Sequence, residues 1–210
     1  MEVHQLELLL EYVPGILKKL RKLVEVSDAK GVARRLFVTN SFDCLLTSLG
    51  VILGGYAGGI ASPKAYIGTV LGGSLTMGIF SGFVGAFFSE RAERLRELKR
   101  LQFQVQSDLS KSVYGKASKW IPIYVALWSA LGMILFPLII IIPFLFAWKG
   151  LIGLKEGIFA SILLINISVF SLGVYLGGVS GENRVKTGLT MLTSSVSATL
   201  LLMTIAAVVK

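Results

Sequence analysis

Five long intervals without a charged residue constrain this chain more than any other feature of its sequence. They cover residues 44–63, 65–89, 120–148, 157–181 and 187–209, with lengths of 20, 25, 29, 25 and 23 residues. A helix needs about 20 predominantly apolar residues to cross the hydrocarbon of a bilayer. The mean hydropathy of +0.75 also lies outside the range of ordinary soluble proteins. We therefore predict an all-α integral membrane protein with five transmembrane helices.

The positions of the Lys and Arg residues predict how these helices are oriented. Seventeen of the 21 precede the first interval or lie between intervals two and three or four and five. The other four are Lys64, Lys149, Lys155 and Lys210. By the positive-inside rule the N-terminus is cytoplasmic and the C-terminus lies outside, and we expect the protein in the cell membrane. The net charge of +9 then reflects topology and contact with the anionic inner leaflet rather than a nucleic-acid partner.

A basic amphipathic segment precedes the membrane domain. We expect residues 1–33 to form a cytoplasmic N-terminal segment and residues 34–210 a five-helix domain with a cytoplasmic helical loop at 90–119. Within the N-terminal segment, apolar residues at helical spacing lie opposite basic ones, as in a helix on the cytoplasmic leaflet. The apolar residues are Ile16, Leu17, Leu20, Leu23 and Val24, and the basic ones are Lys18, Lys19, Arg21 and Lys22. The first residues lack the pattern of a cleaved signal peptide.

Asp43 is the only acidic residue between Asp28 and Glu90. A carboxylate inside a transmembrane helix costs about 2.5–3.5 kcal/mol, so it usually has a function or a partner. At 3.6 residues per turn, Asp43 shares a face with small residues that let another helix approach closely. These are Thr47, Gly50, Gly54 and Gly58. We expect Asp43 to point into a helix–helix seam; the alternatives are an interfacial helix end or an ion pair with Arg35.

Met77 lies in a similar glycine-rich region of the second predicted span. Small residues recur there every four positions, at Ser74, Gly78, Gly82 and Ala86. A single Met in an apolar span is most often a packing residue. Its place in a seam that faces a helix with an aspartate makes Met77 a candidate ligand as well.

The cytoplasmic loop begins with three glutamates, Glu90, Glu93 and Glu97, on one side of a helix that continues the second span. Carboxylates at this spacing could bind a cation. Five basic residues are interleaved with them, which favours a solvated helix with internal salt bridges. These are Arg91, Arg94, Arg96, Lys99 and Arg100. The Ser-, Lys- and Gly-rich stretch at 107–119 is predicted to be a linker.

The last three spans carry prolines, small residues and hydroxyl groups. Pro122, Pro137 and Pro143 predict a kinked third span, and Trp120 and Trp148 are placed at its ends like interfacial anchors. In spans four and five, the rows of Ser, Thr and Gly predict close contacts between helices.

No enzyme motif is present in this sequence. The single histidine, His4, lies outside the predicted spans, and the single cysteine excludes a thiolate cluster or an internal disulfide. The remaining candidate chemistry is a carboxylate and a thioether within the membrane. Carboxylate oxygen suits Mn²⁺ or Mg²⁺, whereas thioether sulfur is a soft ligand, so the combination suits a borderline ion such as Fe²⁺.

Several short motifs resemble those of the vacuolar iron transporter family and its prokaryotic relatives, from about Arg34 to the C-terminus. Residues 42–47, Phe-Asp-Cys-Leu-Leu-Thr, are similar to the start of the family's first helix, and residues 74–78, Ser-Leu-Thr-Met-Gly, to its Ser-Met-Gly motif. Residues 89–93 are similar to the point where a helix of the family leaves the membrane into the cytoplasm. Residues 126–132 are similar to the family's third helix, and residues 180–182 to its last loop.

This resemblance implies a homodimer that exports Fe²⁺ from the cytoplasm in exchange for protons, with Mn²⁺ as a further candidate substrate. It implies a metal path between the subunits lined by Asp43 and Met77 of each, and no tightly bound cofactor. Glu90, Glu93 and Glu97 match only the first helix of the family's cytoplasmic metal-binding domain, so the short-loop, nodulin-like branch is more similar. Leu36 and Val32 stand where the family has a further acidic residue.

The alternative function is a non-transporting membrane scaffold or lipid-binding protein, suggested by the basic N-terminal segment and the shortened acidic helix.

Overall fold

The computed structural model describes Val24 and residues 28–209, and the regular structure within these residues is helical. The α-helices are α1 (Ala29–Ala57), α2 (Pro63–Thr76), α3 (Ala86–Val105), α4 (Val113–Ile140), α5 (Ile142–Trp148), α6 (Leu154–Ser180) and α7 (Arg184–Val209). A π-helical segment, Met77–Gly85, joins α2 to α3. Five of the resulting helical stretches are long and apolar enough to cross a membrane, as predicted. The residues for which the N-terminal amphipathic helix was predicted lie, apart from Val24, outside this description.

Contacts divide the described residues into two compact units. The smaller unit comprises Val24, residues 28–36 and residues 83–129, and the larger unit comprises residues 37–82 and 130–209. The core of the smaller unit joins Val24, Ala29 and Ala33 to three residues of α4, namely Ala117, Ile121 and Val125.

The linker predicted at 107–119 is shorter than expected, because α4 already begins at Val113. The Ser112 hydroxyl accepts a hydrogen bond from the Gly115 amide at 3.4 Å, as an N-terminal helix cap does. Ala117 and Ser118 are buried, so packing stabilises this first part of the helix. The composition of the stretch gave no sign of that packing.

The core of the larger unit is built around Tyr66. The Tyr66 ring stacks on Phe144 of α5 with ring centroids 4.9 Å apart, and its hydroxyl donates to the Ile60 carbonyl at 3.3 Å. Gly55 of α1 makes room for this ring, since a β-carbon there would lie 2.9 Å from Tyr66 Cε1. The other large buried side chains of this core include Leu45, Leu49, Ile52, Ile140, Ile165 and Val169.

The third span is interrupted at Ile141, two residues before Pro143. Proline has no amide hydrogen and its ring clashes with the carbonyl four residues earlier, which ends a helix. Pro122 and Pro137 lie within α4 without interrupting it. The predicted distortion of this span is therefore confirmed at one of its three prolines.

Glycines bring α6 and α7 into close contact. A β-carbon on Gly173 would lie 2.7 Å from the Cα of Gly188, and one on Gly177 would lie 2.8 Å from the Cα of Arg184. Gly181, with φ of +75°, ends α6 and turns the chain back. The contact predicted from small residues is confirmed. The neighbouring hydroxyls of Ser168, Ser171 and Thr190 bond to their own helix instead.

The predicted stripe of small residues in the second span is buried, at Ser74, Gly78, Gly82 and Ala86. Gly82 packs against α4, because a β-carbon on it would lie 3.1 Å from the Cα of Ala130. The sequence analysis predicted one transmembrane helix here that continues into the cytoplasmic loop. The structure instead contains the π-helical segment, a form that is rare and often found near functional sites.

Candidate functional site

Asp43 lies at the middle of α1, 14 residues from either end of the helix. Its side chain is exposed, as is Thr47 one turn later. The adjacent positions Cys44 and Leu45 are buried. The helix buries its bulky apolar face, so the face that carries Asp43 turns outward.

This outward face is open along much of its length. Gly54 and Gly58 are exposed, and a β-carbon on Gly50 or Gly54 would have no atom within 4 Å. The expected seam is therefore not formed with another helix of this chain, as far as the described residues show. Asp43 is also not at a helix end. The prediction that remains is a seam with a second subunit.

Met77 begins the π-helical segment and lines a narrow, nearly filled groove between α1 and α2, which encloses about 210 Å³ only when its open mouth is included. The other lining residues are Cys44, Thr47, Ser48, Val51, Thr69, Val70, Gly73 and Ser74. Thr47 is one helical turn from Asp43, and its hydroxyl donates to the Asp43 carbonyl at 2.8 Å. Met77 therefore lies in the same groove as Thr47, the residue one helical turn after Asp43. Asp43 itself does not line the groove.

The groove is rich in hydroxyl groups, of which the sequence analysis named Thr47 and Ser74 but not Ser48 and Thr69. Ser48, Thr69 and Ser74 each donate to a carbonyl of their own helix, at 2.8, 2.8 and 3.1 Å. Their oxygen lone pairs remain able to accept a hydrogen bond or contact a cation. Thr69 could have been found from the sequence, because Thr69, Gly73 and Met77 are spaced four residues apart on one helix face.

The side chain of Cys44 is buried and points toward α4 rather than toward solvent. Its side chain is 1% exposed, and its Sγ donates to the Met133 carbonyl of α4 at 3.3 Å. This hydrogen bond joins α1 to α4, and Asp43, the preceding residue, lies on the exposed side of α1.

The three glutamates of α3 are paired with arginines. Arg94 bridges two of them, with Nε 2.7 Å from Glu90 Oε1 and Nη1 3.0 Å from Glu97 Oε2. Glu93 lies 3.9 Å from Arg96, and both side chains are largely exposed. Among the residues that the structure describes, no group of three or more His, Cys, Asp and Glu side chains could hold a metal ion. All three glutamates of α3 therefore form salt bridges with arginines of the same helix.

Comparison with known proteins adds a relative but no family. No family model matches the sequence. The chain is similar to an uncharacterized protein of Methanocaldococcus jannaschii, MJ0645, with 28% identity over 171 residues. The match covers 80% of this chain and 85% of the relative.

Proposed function

We propose that this protein is a homodimeric transporter that exports a divalent transition-metal ion, Fe²⁺ and also Mn²⁺, from the cytoplasm in exchange for protons. The observation that carries the proposal is the exposed carboxylate of Asp43 in the middle of a helix that is long and apolar enough to span a membrane. Such a group facing lipid is expensive, so intramembrane carboxylates face a partner, a cavity or an ion path.

The open faces of α1 and α2 support the dimer. On α2, Gly68, Gly72 and Gly73 are exposed, and a β-carbon on any of them would have no atom within 4 Å. Together with Gly50 and Gly54 of α1, they allow helices of a second subunit to approach closely. Two copies facing each other in this way would place two Asp43 carboxylates on one path.

The donor atoms favour a borderline ion. Asp43 supplies carboxylate oxygen and Met77 supplies thioether sulfur. Thr47 shares a helix face with Asp43 and a groove with Met77, and its hydroxyl is a further oxygen donor. Oxygen alone suits Mn²⁺, and the addition of sulfur improves the match to Fe²⁺. A carboxylate that releases its metal ion can take up a proton in its place, which gives the exchange a chemical basis.

The glutamates of α3 have a place in this proposal as the cytoplasmic contact for the ion. Glu93 is the most exposed of them, and its contact with Arg96 is long. Glu90 and Glu97 become ligands only when Arg94 releases them. Because Arg94 competes with the cation, ion capture at this helix is weaker than at a purely acidic one.

The proposal is tested by flux of Fe²⁺ and Mn²⁺ into proteoliposomes that contain the purified protein. We expect Asp43→Asn to reduce the flux at least about tenfold, because a charge-assisted contact contributes about 1.5–3 kcal/mol. The matched control is Asp108→Asn, which removes one carboxylate outside the predicted spans and leaves the flux unchanged. Equal flux in the Asp43→Asn and parent proteins would refute metal transport through this site.

A second candidate function is a non-transporting membrane scaffold or lipid-binding protein. The observation in its favour is that all three glutamates of α3 are paired with arginines. This candidate predicts that Fe²⁺ and Mn²⁺ leave the thermal unfolding midpoint unchanged. It also predicts that neutralising the four basic residues at 18, 19, 21 and 22 weakens binding of the anionic lipid of the inner leaflet.

A further inference from the structure

Two buried polar atoms, one on α6 and one on α7, lack a hydrogen-bond partner among the residues that the structure describes. They are Oδ1 of Asn166 and Oγ of Ser195. Ser195 is 0% exposed, and the amide nitrogen of Asn166 already donates to the Ile162 carbonyl at 2.9 Å. Other hydroxyls of these helices donate to a carbonyl of their own helix, as Ser168 and Thr199 do. A buried polar atom without a partner is costly, and a bound water or ion is the usual remedy.

The two residues lie at the same level of the contact between α6 and α7. This contact is closest where a β-carbon on Gly173 would lie 2.7 Å from the Cα of Gly188, and the turn at Gly181 makes the two helices antiparallel. Asn166 is seven residues before Gly173, and Ser195 is seven residues after Gly188. Seven residues make nearly two full turns, so each polar residue shares the face of its glycine, about 10 Å further along the axis. Asn166 and Ser195 therefore lie on the facing sides of the two helices.

This level is near the middle of two helices that are long and apolar enough to span a membrane. Asn166 is 12 residues from the start of α6 and 14 from its end, and Ser195 is 11 and 14 residues from the ends of α7. Ile162 and Leu202, which lie beyond them along the contact, pack against the core of the larger unit. The two polar atoms are therefore enclosed at a depth where the hydrocarbon offers no hydrogen bonds.

We propose that Asn166 and Ser195 bind one water molecule between α6 and α7. The two side chains do not bond to each other. A water molecule can donate to Oδ1 of Asn166 and accept from the hydroxyl of Ser195, which satisfies both groups at once.

A cation is the less suitable ligand for this site. Divalent cations in proteins take about six or more oxygen ligands. Asn166 and Ser195 supply two, and the carbonyls around them are engaged in the hydrogen bonds of regular helices. Burial of an unpaired charge would also cost far more than burial of a neutral molecule. A bound water instead adds a polar contact to a seam of glycines and apolar side chains, and so specifies how α6 and α7 pair. This role does not depend on metal transport.

The test is solid-state NMR of the full-length protein in lipid vesicles, with its asparagines labelled with ¹⁵N. The chain has three asparagines, Asn40, Asn166 and Asn183, and Asn166→Gln identifies the signal of Asn166. We expect polarisation to pass from water protons to the side-chain amide of Asn166, as it does to that of the exposed Asn183. An Asn166 amide that receives none would overturn the proposal.

The matched variants are Ser195→Thr, which keeps the hydroxyl, and Ser195→Val, which has the same shape without it. We expect the transfer from water to Asn166 to be about tenfold weaker in Ser195→Val than in Ser195→Thr, because only threonine still holds the water. Equal transfer in the two variants would place the water on the accessible side of Asn166 and would also overturn the proposal.

A double-mutant cycle tests the same bridge through stability. Asn166→Leu and Ser195→Val each leave one polar atom unpaired, whereas the double variant leaves neither. We therefore expect the unfolding equilibrium constant of the double variant in detergent to be about fivefold lower than the two single effects predict. Asn166→Leu with Ser194→Val is the matched control, and its effects should be additive because Ser194 is exposed. Additive effects at residues 166 and 195 would contradict a shared water.

Discussion

The glycines of α6 and α7 and those of α1 and α2 look alike in the sequence but have opposite surroundings. Gly173 and Gly188 lie where two helix backbones nearly touch, whereas Gly54 and Gly72 have no atom within 4 Å of the position of a β-carbon. The first pair closes a contact within the chain. The second pair lies on a surface that the described part of the chain leaves open.

This difference shows that a small-residue stripe specifies close approach but not the partner. Between α6 and α7, the turn at Gly181 returns the chain directly, so the seam is filled locally. On α1, the bulky residues Leu45 and Leu49 direct the helix toward the core, and the face with Asp43 points away from it. An open face with a carboxylate is where we place the second subunit.

The largest expected effect is that of Gly173→Ala. Its β-carbon would meet backbone atoms, namely Gly188 Cα at 2.7 Å and the Thr187 carbonyl oxygen at 2.9 Å, so the helices must separate. We expect the free energy of unfolding in detergent to fall by about 1–3 kcal/mol. Gly54→Ala is the matched control and should lose nothing, because alanine favours helix and the site is open. Equal losses of unfolding free energy in Gly173→Ala and Gly54→Ala would show that the glycine faces of α6 and α1 do not differ in their surroundings.

The next effect concerns self-association. Gly54→Leu should weaken the dimer about tenfold, or about 1.4 kcal/mol, while the unfolding midpoint of the protomer stays unchanged. The measurement is the dimer fraction by light scattering as the protein is diluted in detergent. Leu163→Ala, on an exposed face of α6, is the control and should leave the dimer intact. An unchanged dimer in Gly54→Leu would place the interface elsewhere.

Two salt bridges of α3 also differ in how far their side chains are exposed to solvent. The side chains of Arg94 and Glu90 are only 12% and 11% exposed, whereas those of Arg96 and Glu93 are 83% and 71% exposed. We expect Arg94→Gln to lower the free energy of unfolding by about 1 kcal/mol and Arg96→Gln by less than about 0.5 kcal/mol.

Arg94→Gln also distinguishes the two proposed functions. If the glutamates contact the transported ion, this variant should bind Mn²⁺ more tightly in calorimetry, because the competing guanidinium is gone. Unchanged Mn²⁺ binding would favour the scaffold.

The smallest effect is expected at the turn between α3 and α4. The Ser110 hydroxyl and amide and the Gln102 side chain donate to Asp108, and these bonds hold the pKa of its carboxyl below the usual value. A lowered pKa in the folded state means that the stabilisation is complete above the unfolded pKa and is lost as the pH falls through the folded one. Hydrogen exchange of the Ser110 amide should therefore accelerate only under acid conditions. Exchange that does not depend on pH, after correction for intrinsic rates, would contradict this assignment.

Much of the membrane architecture could be predicted because it follows from local composition. The number of long apolar helices depends on uncharged length alone, and the break before Pro143 depends on the missing amide hydrogen. The π-helical segment could not be predicted, since it arises where Gly78 and Gly82 pack against α4. The early start of α4 depends in the same way on the burial of Ala117 and Ser118.

Some features of the candidate site also follow from the sequence, whereas others depend on how the helices pack. The sequence by itself determined that Asp43 is a lone carboxylate in an apolar helix, that small residues share its face, and that Met77 lies in a second glycine-rich span. Only the tertiary structure decided that this face is exposed and that Met77 reaches the groove beside Thr47. The salt bridges of α3 follow instead from local helical spacing, as the sequence predicted. The physical reason is that periodicity fixes which residues share a face, while the packing of all the helices decides what that face meets.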